Sequence, residues 1–300
     1  MQKLSNLPGL KWFSAHKRLV GAAVLVITFV SLGWYLSIHP SIVDKVLHTN
    51  PWVLLALFVL YSGMIAVNVG ITHMTVKLCR KDLPLKNTFL LSVYSSVANF
   101  FGPLQSGPAV RAVYLKSKIG LRIRDYTYTM LFYYLAFGAI NASLLFLRTA
   151  PLLTVLGIAA GIILIIYGTR RYNFADRSRY VLGIYIITVI QVLLTVVIYH
   201  TELHATGTQA SWSQTFVYSG SSNLSLFVSL TPGGIGVREA FLLFTQSLHG
   251  ISPYSIVAAG ILDRAFYISF LVVLLILTSA FHVRDTILPK KGREIAGDSL

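Results

Sequence analysis

Charge is what this sequence has least of. Only 12% of its 300 residues are charged, and 10 of them are acidic. A soluble domain carries roughly 25% charged residues, so most of the surface of this chain faces something other than water. There is one cysteine, Cys79, which excludes an internal disulfide. No Cys/His cluster has metal-ligand spacing, so no metal is expected. No nucleophile–base pair, phosphate-binding loop or dinucleotide fingerprint occurs, so an enzymatic reading lacks a motif and no cofactor is expected. What fills the space is apolar: 55% of the residues are hydrophobic.

The apolar residues come in runs of about 20, the length that crosses a hydrocarbon core ~30 Å thick. Six stand out: Leu19–Ile38, Trp52–Val76, Tyr126–Leu147, Pro151–Tyr167, Val181–His200 and Tyr254–Phe281. Two more, Thr88–Leu115 and Ser213–Leu248, are interrupted by Gly and Pro. The first run follows Lys17 and Arg18 and lacks a small-x-small cleavage site, so it reads as an uncleaved anchor.

A net charge of +15 raises the question of nucleic acid, and the distribution of the charge answers it. Of the 25 Lys and Arg, 21 fall in the N-tail, 77–86, 111–124, 170–179 and 284–293. Only Lys45 and Arg148 lie in the alternate short loops, one of which is read as Thr201–Trp212. That asymmetry is the positive-inside pattern of a multi-pass protein with both termini cytoplasmic, in a cell (inner) membrane. The expected partners are the membrane and an anionic lipid, not nucleic acid. Gly157-x-x-x-Gly161 allows close helix contact within a protomer or in a homo-oligomer.

Both flanks of Thr88–Leu115 are basic, so this stretch returns to the side it left. Ser213–Gly250 repeats the behaviour from the other side. The expectation is an all-α membrane protein: a polytopic helical bundle with about six spans and two re-entrant, broken-helix hairpins. Residues 1–285 form a single membrane domain, and 286–300 a polar cytoplasmic tail. Pro103-x-x-x-Gly107 and Pro232-x-x-x-Gly236 share spacing, and Arg111 or Arg238 follows each. Paired interrupted segments of opposite orientation, here about 88–147 and 213–281, suggest a weak inverted repeat, the plan of many transporters.

Broken helices at membrane depth leave backbone groups unpaired, so such breaks line a wet or protein-buried cavity. Gly233, Gly234 and Gly236 permit positive φ and a close backbone approach. A half-helix starting near Val237 would turn its positive end toward an anion, and Arg238 adds a forked phosphate binder. Glu239 would balance Arg238 in the empty site. Asp263 and Arg264 lie about ten residues into the last apolar run, where a charge costs ~2.5–3.5 kcal/mol. They point ~100° apart on a helix, so each needs its own partner: Arg238 or Arg111 for Asp263, Glu239 for Arg264. In the first unit the matching positions are Tyr133 and Tyr134. Asn99 and Asn223, in the arms leading to the breaks, are either helix-joining amides or ligands.

The stretches Asn99-Phe-Phe-Gly-Pro-Leu-Gln-Ser-Gly-Pro-Ala-Val-Arg111, Leu230-Thr-Pro-Gly-Gly-Ile-Gly-Val-Arg-Glu239 and Leu262-Asp-Arg264 carry a family resemblance. The chain is similar to the flippase-like transmembrane region of lysylphosphatidylglycerol synthases, and to stand-alone members of that family. The resemblance implies movement of a lipid between leaflets. The synthase activity belongs to a soluble domain that follows the membrane part, and only about 19 polar residues follow Phe281 here, so that activity is not expected. The resulting expectation is a protein that binds and translocates an anionic phospholipid or lipid-linked phosphate. The candidate binding residues are Asn99, Pro103, Gly107, Arg111, Asn223, Pro232, Gly233, Gly234, Gly236, Arg238, Glu239, Asp263 and Arg264. A membrane enzyme acting on a lipid headgroup, or a non-transporting subunit of envelope synthesis, is the alternative.

Overall fold

The computed structural model describes residues 48–102, 106–171, 177–228 and 231–287, with a few isolated positions before them. The run Leu19–Ile38, the tail 288–300 and Pro103 lie outside the described residues. Within these limits the chain is all helix. The elements are α1 (Pro51–Leu78), α2 (Leu85–Phe101), α3 (Gly107–Ile119), α4 (Ile123–Leu144) and α5 (Pro151–Arg171). They continue with α6 (Ser178–Ala205), α7 (Trp212–Ser225), α8 (Val237–Phe244), α9 (Gln246–His249) and α10 (Pro253–Ile287). Pro51–Leu78, Ser178–Ala205 and, within α10, Pro253–Thr278 are long and apolar enough to cross a membrane.

Local sequence explains most of the ends. Asn50 caps α1 by accepting the Trp52 amide at 2.9 Å, satisfying one of the first-turn donors. Gln214 reaches back to the Ser211 amide at 3.0 Å while the Ser211 hydroxyl accepts from Gln214 N, a reciprocal cap that starts α7. α2 stops at Gly102, ahead of Pro103. The Ser106 hydroxyl donates to the Ala98 carbonyl at 2.6 Å, joining the Gly102 amide, which donates to the same oxygen at 2.9 Å, and so ties the chain beyond the break to the last turn of α2. α3 then doubles back along α2. Gly107 makes this possible: a Cβ there would sit 2.6 Å from the Ser95 carbonyl oxygen and 3.0 Å from Asn99 Cβ.

Several helix ends shift by a few residues from the sequence reading, and one of these shifts bears on the site. The fifth run was expected to end at His200, with Thr201–Trp212 as a loop, yet α6 continues to Ala205. Glu202 and Leu203 in its last turn are fully buried, and the Tyr61 hydroxyl and the Ala210 carbonyl give Glu202 and His204 hydrogen-bonding partners inside the protein. Thr206 closes it by donating to the Glu202 and Leu203 carbonyls. Gly157 and Gly161 serve contact within the chain: Cβ atoms there would meet Ser143 Oγ at 2.3 Å and Ala139 Cβ at 3.0 Å, which seats α5 against α4.

The burial pattern is inverted relative to a water-soluble bundle. Leu152, Val59, Ile163 and Ile276 are exposed, each by more than half, while Thr72, Ser92, Ser95, Asn141, Ser221, Ser222 and Asn223 are buried. Several interior hydroxyls return their proton to a carbonyl one turn back, as Thr75 does to Ile71 and Thr188 to Ile184, so they ask nothing of the surroundings. α1 and α6 pack along each other, and α2, α4, α7 and α10 close around this pair. The two interrupted units, α2–α3 and α7–α8, meet at its centre.

Candidate functional site

A cavity of about 220 Å³ lies between the two units. Asn99, Phe100, Pro108 and Arg111 border it from the first; Asn223, Thr231, Gly233, Gly234 and Arg238 border it from the second. Tyr61 of α1, Tyr133 and Tyr134 of α4, Gln191 and Thr195 of α6, and Asp263 of α10 are among the polar residues of the remaining wall. The second break enters through backbone that favours glycine, with φ of 60° at Gly233, 66° at Gly234 and 80° at Gly236. Gly233 lies on the ring of Phe100, where a Cβ would come within 3.0 Å of Cε2. The two breaks therefore touch.

α8 and α10 are joined by two ion pairs. Arg238 Nη1 meets Asp263 Oδ2 at 2.5 Å, and Arg264 Nη2 meets Glu239 Oε1 at 2.6 Å. Because neighbouring helix positions diverge by ~100°, residues 263 and 264 take two separate partners, and 238 and 239 supply them. Both pairs match partners named from the sequence. The expectation that Glu239 balances Arg238 does not hold, since Glu239 turns to Arg264. Its Oε2 also accepts the Gly236 amide at 2.8 Å. Glu239 thus occupies the N-terminus of α8, the end expected to face a bound anion, because a side chain three residues into a helix can reach its first amide.

Arg111 is different. Its Nη1 has one distant contact, 3.4 Å to Thr72 Oγ1, and its Nε is buried with no hydrogen-bond partner. Among the described residues no carboxylate lies within ion-pair distance of it. Asn99 Oδ1 and Ser95 Oγ, both at the same cavity, are likewise buried without a hydrogen-bond partner. Arg238 Nε on the opposite wall is unpartnered too. Buried polar groups are nearly always hydrogen-bonded, so four such atoms beside one cavity mark a place built for something polar.

The other candidate residues divide by position. Asn223 borders the cavity, but its amide donates to Asn141 Oδ1 at 2.9 Å and Thr195 Oγ1 at 3.1 Å, joining α7 to α4 and α6. Glu239, Arg264, Gly236 and Gly107 stand behind the wall. Pro232 opens a short 3₁₀ turn, Pro232–Gly234. Tyr133 and Tyr134, which match Asp263 and Arg264 in position, both reach the cavity, and Tyr133 donates to Gln191 Oε1 at 3.0 Å. Sequence reasoning missed Glu202. It is fully buried and lies 3.1 Å from the Tyr61 hydroxyl, which also donates to Asp263 Oδ1. The available signal was an acidic residue two positions past an apolar run, in a chain with only 10 of them.

The family model for the lysylphosphatidylglycerol synthase TM region matches residues 18–276, the family that the three motif stretches resemble. Comparison with curated proteins gives no match. The matched span includes both interrupted units, both ion pairs and Arg111. This chain therefore belongs to the lysylphosphatidylglycerol synthase TM region family and is a membrane protein related to lipid metabolism.

Proposed function

We propose that the central cavity receives the phosphate of an anionic lipid headgroup and carries it between leaflets, with Arg111 as its first anchor. The observation that carries this reading is the charge balance of the wall. Arg238 is answered by Asp263 and, behind the wall, Arg264 by Glu239, which leaves Arg111 as the arginine of the cavity wall without a counter-charge among the described residues. A guanidinium binds phosphate through two parallel charge-assisted hydrogen bonds. A headgroup moving along such a polar groove avoids most of the cost that its charge would incur in hydrocarbon.

The reading is also supported by arm lengths. α2 and α3 have 17 and 13 residues, α7 and α8 have 14 and 8. At 1.5 Å per residue the longest reaches roughly 25 Å, short of a hydrocarbon core ~30 Å thick. Each unit is therefore taken as a re-entrant hairpin, with α1, α4, α5, α6 and α10 as spans and Leu19–Ile38 as the sixth. Both termini are placed in the cytoplasm of a cell whose inner membrane holds the protein. Arg238 serves as a second prong when Asp263 yields it.

The test is transfer of a labelled phosphatidylglycerol between leaflets of proteoliposomes, normalised to folded protein. Arg111→Gln is expected to slow transfer strongly, and Arg238→Lys to slow it while preserving insertion. Wild-type rates in both variants would remove the phosphate site, and a covalently altered lipid would point to an enzyme instead.

A further inference from the structure

Glu202 is a buried acid whose charge nothing answers. It is fully buried in the last turn of α6, its Oε2 has no hydrogen-bond partner, and no cation among the described residues lies within ion-pair distance of it. Its Oε1 lies 3.1 Å from the Tyr61 hydroxyl, and that same hydroxyl lies against Asp263 Oδ1. A phenol has one proton to donate. Both contacts are good hydrogen bonds only when one carboxyl group brings a proton of its own. Asp263 already has its counter-charge in Arg238. Glu202, with no cation within ion-pair distance among the described residues, is the group that brings the proton, because an unpaired charge buried away from water neutralises itself instead.

The groups facing this point from the surrounding helices are few. They are Tyr61 on α1, Tyr199 on α6 itself, Tyr218 on α7, Arg238 on α8, and Asp263 and Tyr267 on α10, with Glu239 of α8 beyond Tyr218. Phenols are neutral at ordinary pH and arginine does not release its proton. Glu239 is held by Arg264. A mobile proton therefore has two resting places, Glu202 and Asp263, with the Tyr61 oxygen between them.

We propose that Glu202, Tyr61 and Asp263 form a proton relay that ties anion binding at Arg238 to the uptake of one proton. This rests on the reading that a lipid phosphate enters the cavity. In the step, the Glu202 O–H bond breaks and its proton bonds to the Tyr61 oxygen as the Tyr61 proton passes to Asp263 Oδ1. Tyr61 ends unchanged, Glu202 is left as a carboxylate and Asp263 becomes neutral. Arg238 then loses its counter-ion and takes the phosphate, while a proton from water restores Glu202. One negative charge and one proton have entered, so the loaded cavity has the same net charge as the empty one. The device makes the loaded protein no costlier to rearrange within hydrocarbon than the empty protein.

Infrared difference spectroscopy of the full chain in ester-free detergent micelles, wild type against Glu202→Gln, tests the resting state. A carboxylic acid C=O band is expected at neutral pH, absent in Glu202→Gln and shifted in Tyr61→Phe; folded wild-type protein without that band would overturn the relay. Short-chain phosphatidylglycerol is then added in weak buffer. The expected result is one proton taken up per lipid bound by the wild type, with a new acid band that Asp263→Asn lacks. Lipid binding without proton uptake refutes the relay and leaves the lipid site standing. Absence of lipid binding, with the Glu202 band present, refutes the lipid reading and the coupling built on it. The wild-type proton count needs no variant, so a poorly folding substitution does not shield the idea.

Discussion

Arg111 and Arg238 border the same cavity, yet their replacement by glutamine is expected to fail in opposite ways. Arg238→Gln strips Asp263 of its cation in a pair whose side chains are only 13% and 10% exposed. Removing one partner of a buried pair costs about 3–5 kcal/mol, since the remaining charge is stranded. Tyr61 stays on Asp263 and keeps the loss toward the lower figure. Arg111→Gln strands nothing. Its contact with Thr72 at 3.4 Å is at the limit of a hydrogen bond, so stability should change by less than about 1 kcal/mol. Affinity for an anionic lipid should fall instead. A hydrogen bond to a charged group contributes about 1.5–3 kcal/mol, equivalent to about 10- to 150-fold in dissociation constant. Thermal unfolding in detergent, paired with titration of short-chain phosphatidylglycerol, separates the two effects. If Arg111→Gln lowers the melting temperature as far as Arg238→Gln and leaves lipid affinity intact, Arg111 is a structural residue and the anion site is elsewhere.

Gly107→Ala should destabilise the α2–α3 hairpin by about 1–3 kcal/mol, as overpacking does, because the new Cβ meets the Ser95 carbonyl at 2.6 Å; differential scanning of the folded protein reads this. Asn223→Leu should cost about 0.6–2 kcal/mol, the range for interhelical polar contacts in membranes, with lipid affinity less affected than by Arg111→Gln. Single cysteines at Lys116 and Gln209, both exposed, should label from opposite sides with an impermeant maleimide, and labelling of both from one side would end the proposed topology. In that experiment Cys79 should remain nearly silent at neutral pH. Burial pushes its thiol up, so less of it is the reactive thiolate.

The helices were largely legible from composition. Trp52–Val76 and Tyr254–Phe281 anticipated Pro51–Leu78 and Pro253–Ile287, because a bilayer demands long uncharged runs whatever the tertiary packing. Charges inside such runs were equally informative: Asp263 and Arg264 had to find partners, and the candidates were few enough to name. Legibility ended where a contact depended on how helices approach. Tyr61 and Asp263 are 202 positions apart, and no local pattern announces that a phenol bridges two acids. Only the first residues of the Thr201–Trp212 loop were misread, since α6 runs on to Ala205, and for a related reason: Glu202 looks like a loop residue until the groups that shelter it are known. Arg111 and Arg238 were indistinguishable in sequence, each following a Gly/Pro break. Their difference is the presence of a carboxylate on α10 opposite one of them.

The contact between Gly233 and Phe100 works as a bearing. Phe100 is itself wedged against Phe101, with centroids 5.1 Å apart, and against Tyr267 at 5.4 Å. Tyr267 stands one helical turn beyond Asp263, on the same side of α10. A shift of the second break toward the first thus has to tip the Phe100 ring, and that ring leans on the turn of helix that carries the carboxylate. Backbone displacement at the glycines would therefore be expected to press on the turn that carries the charge holding Arg238. Filling out residue 233 with a side chain would preload that contact, an effect that no inventory of charged groups would reveal.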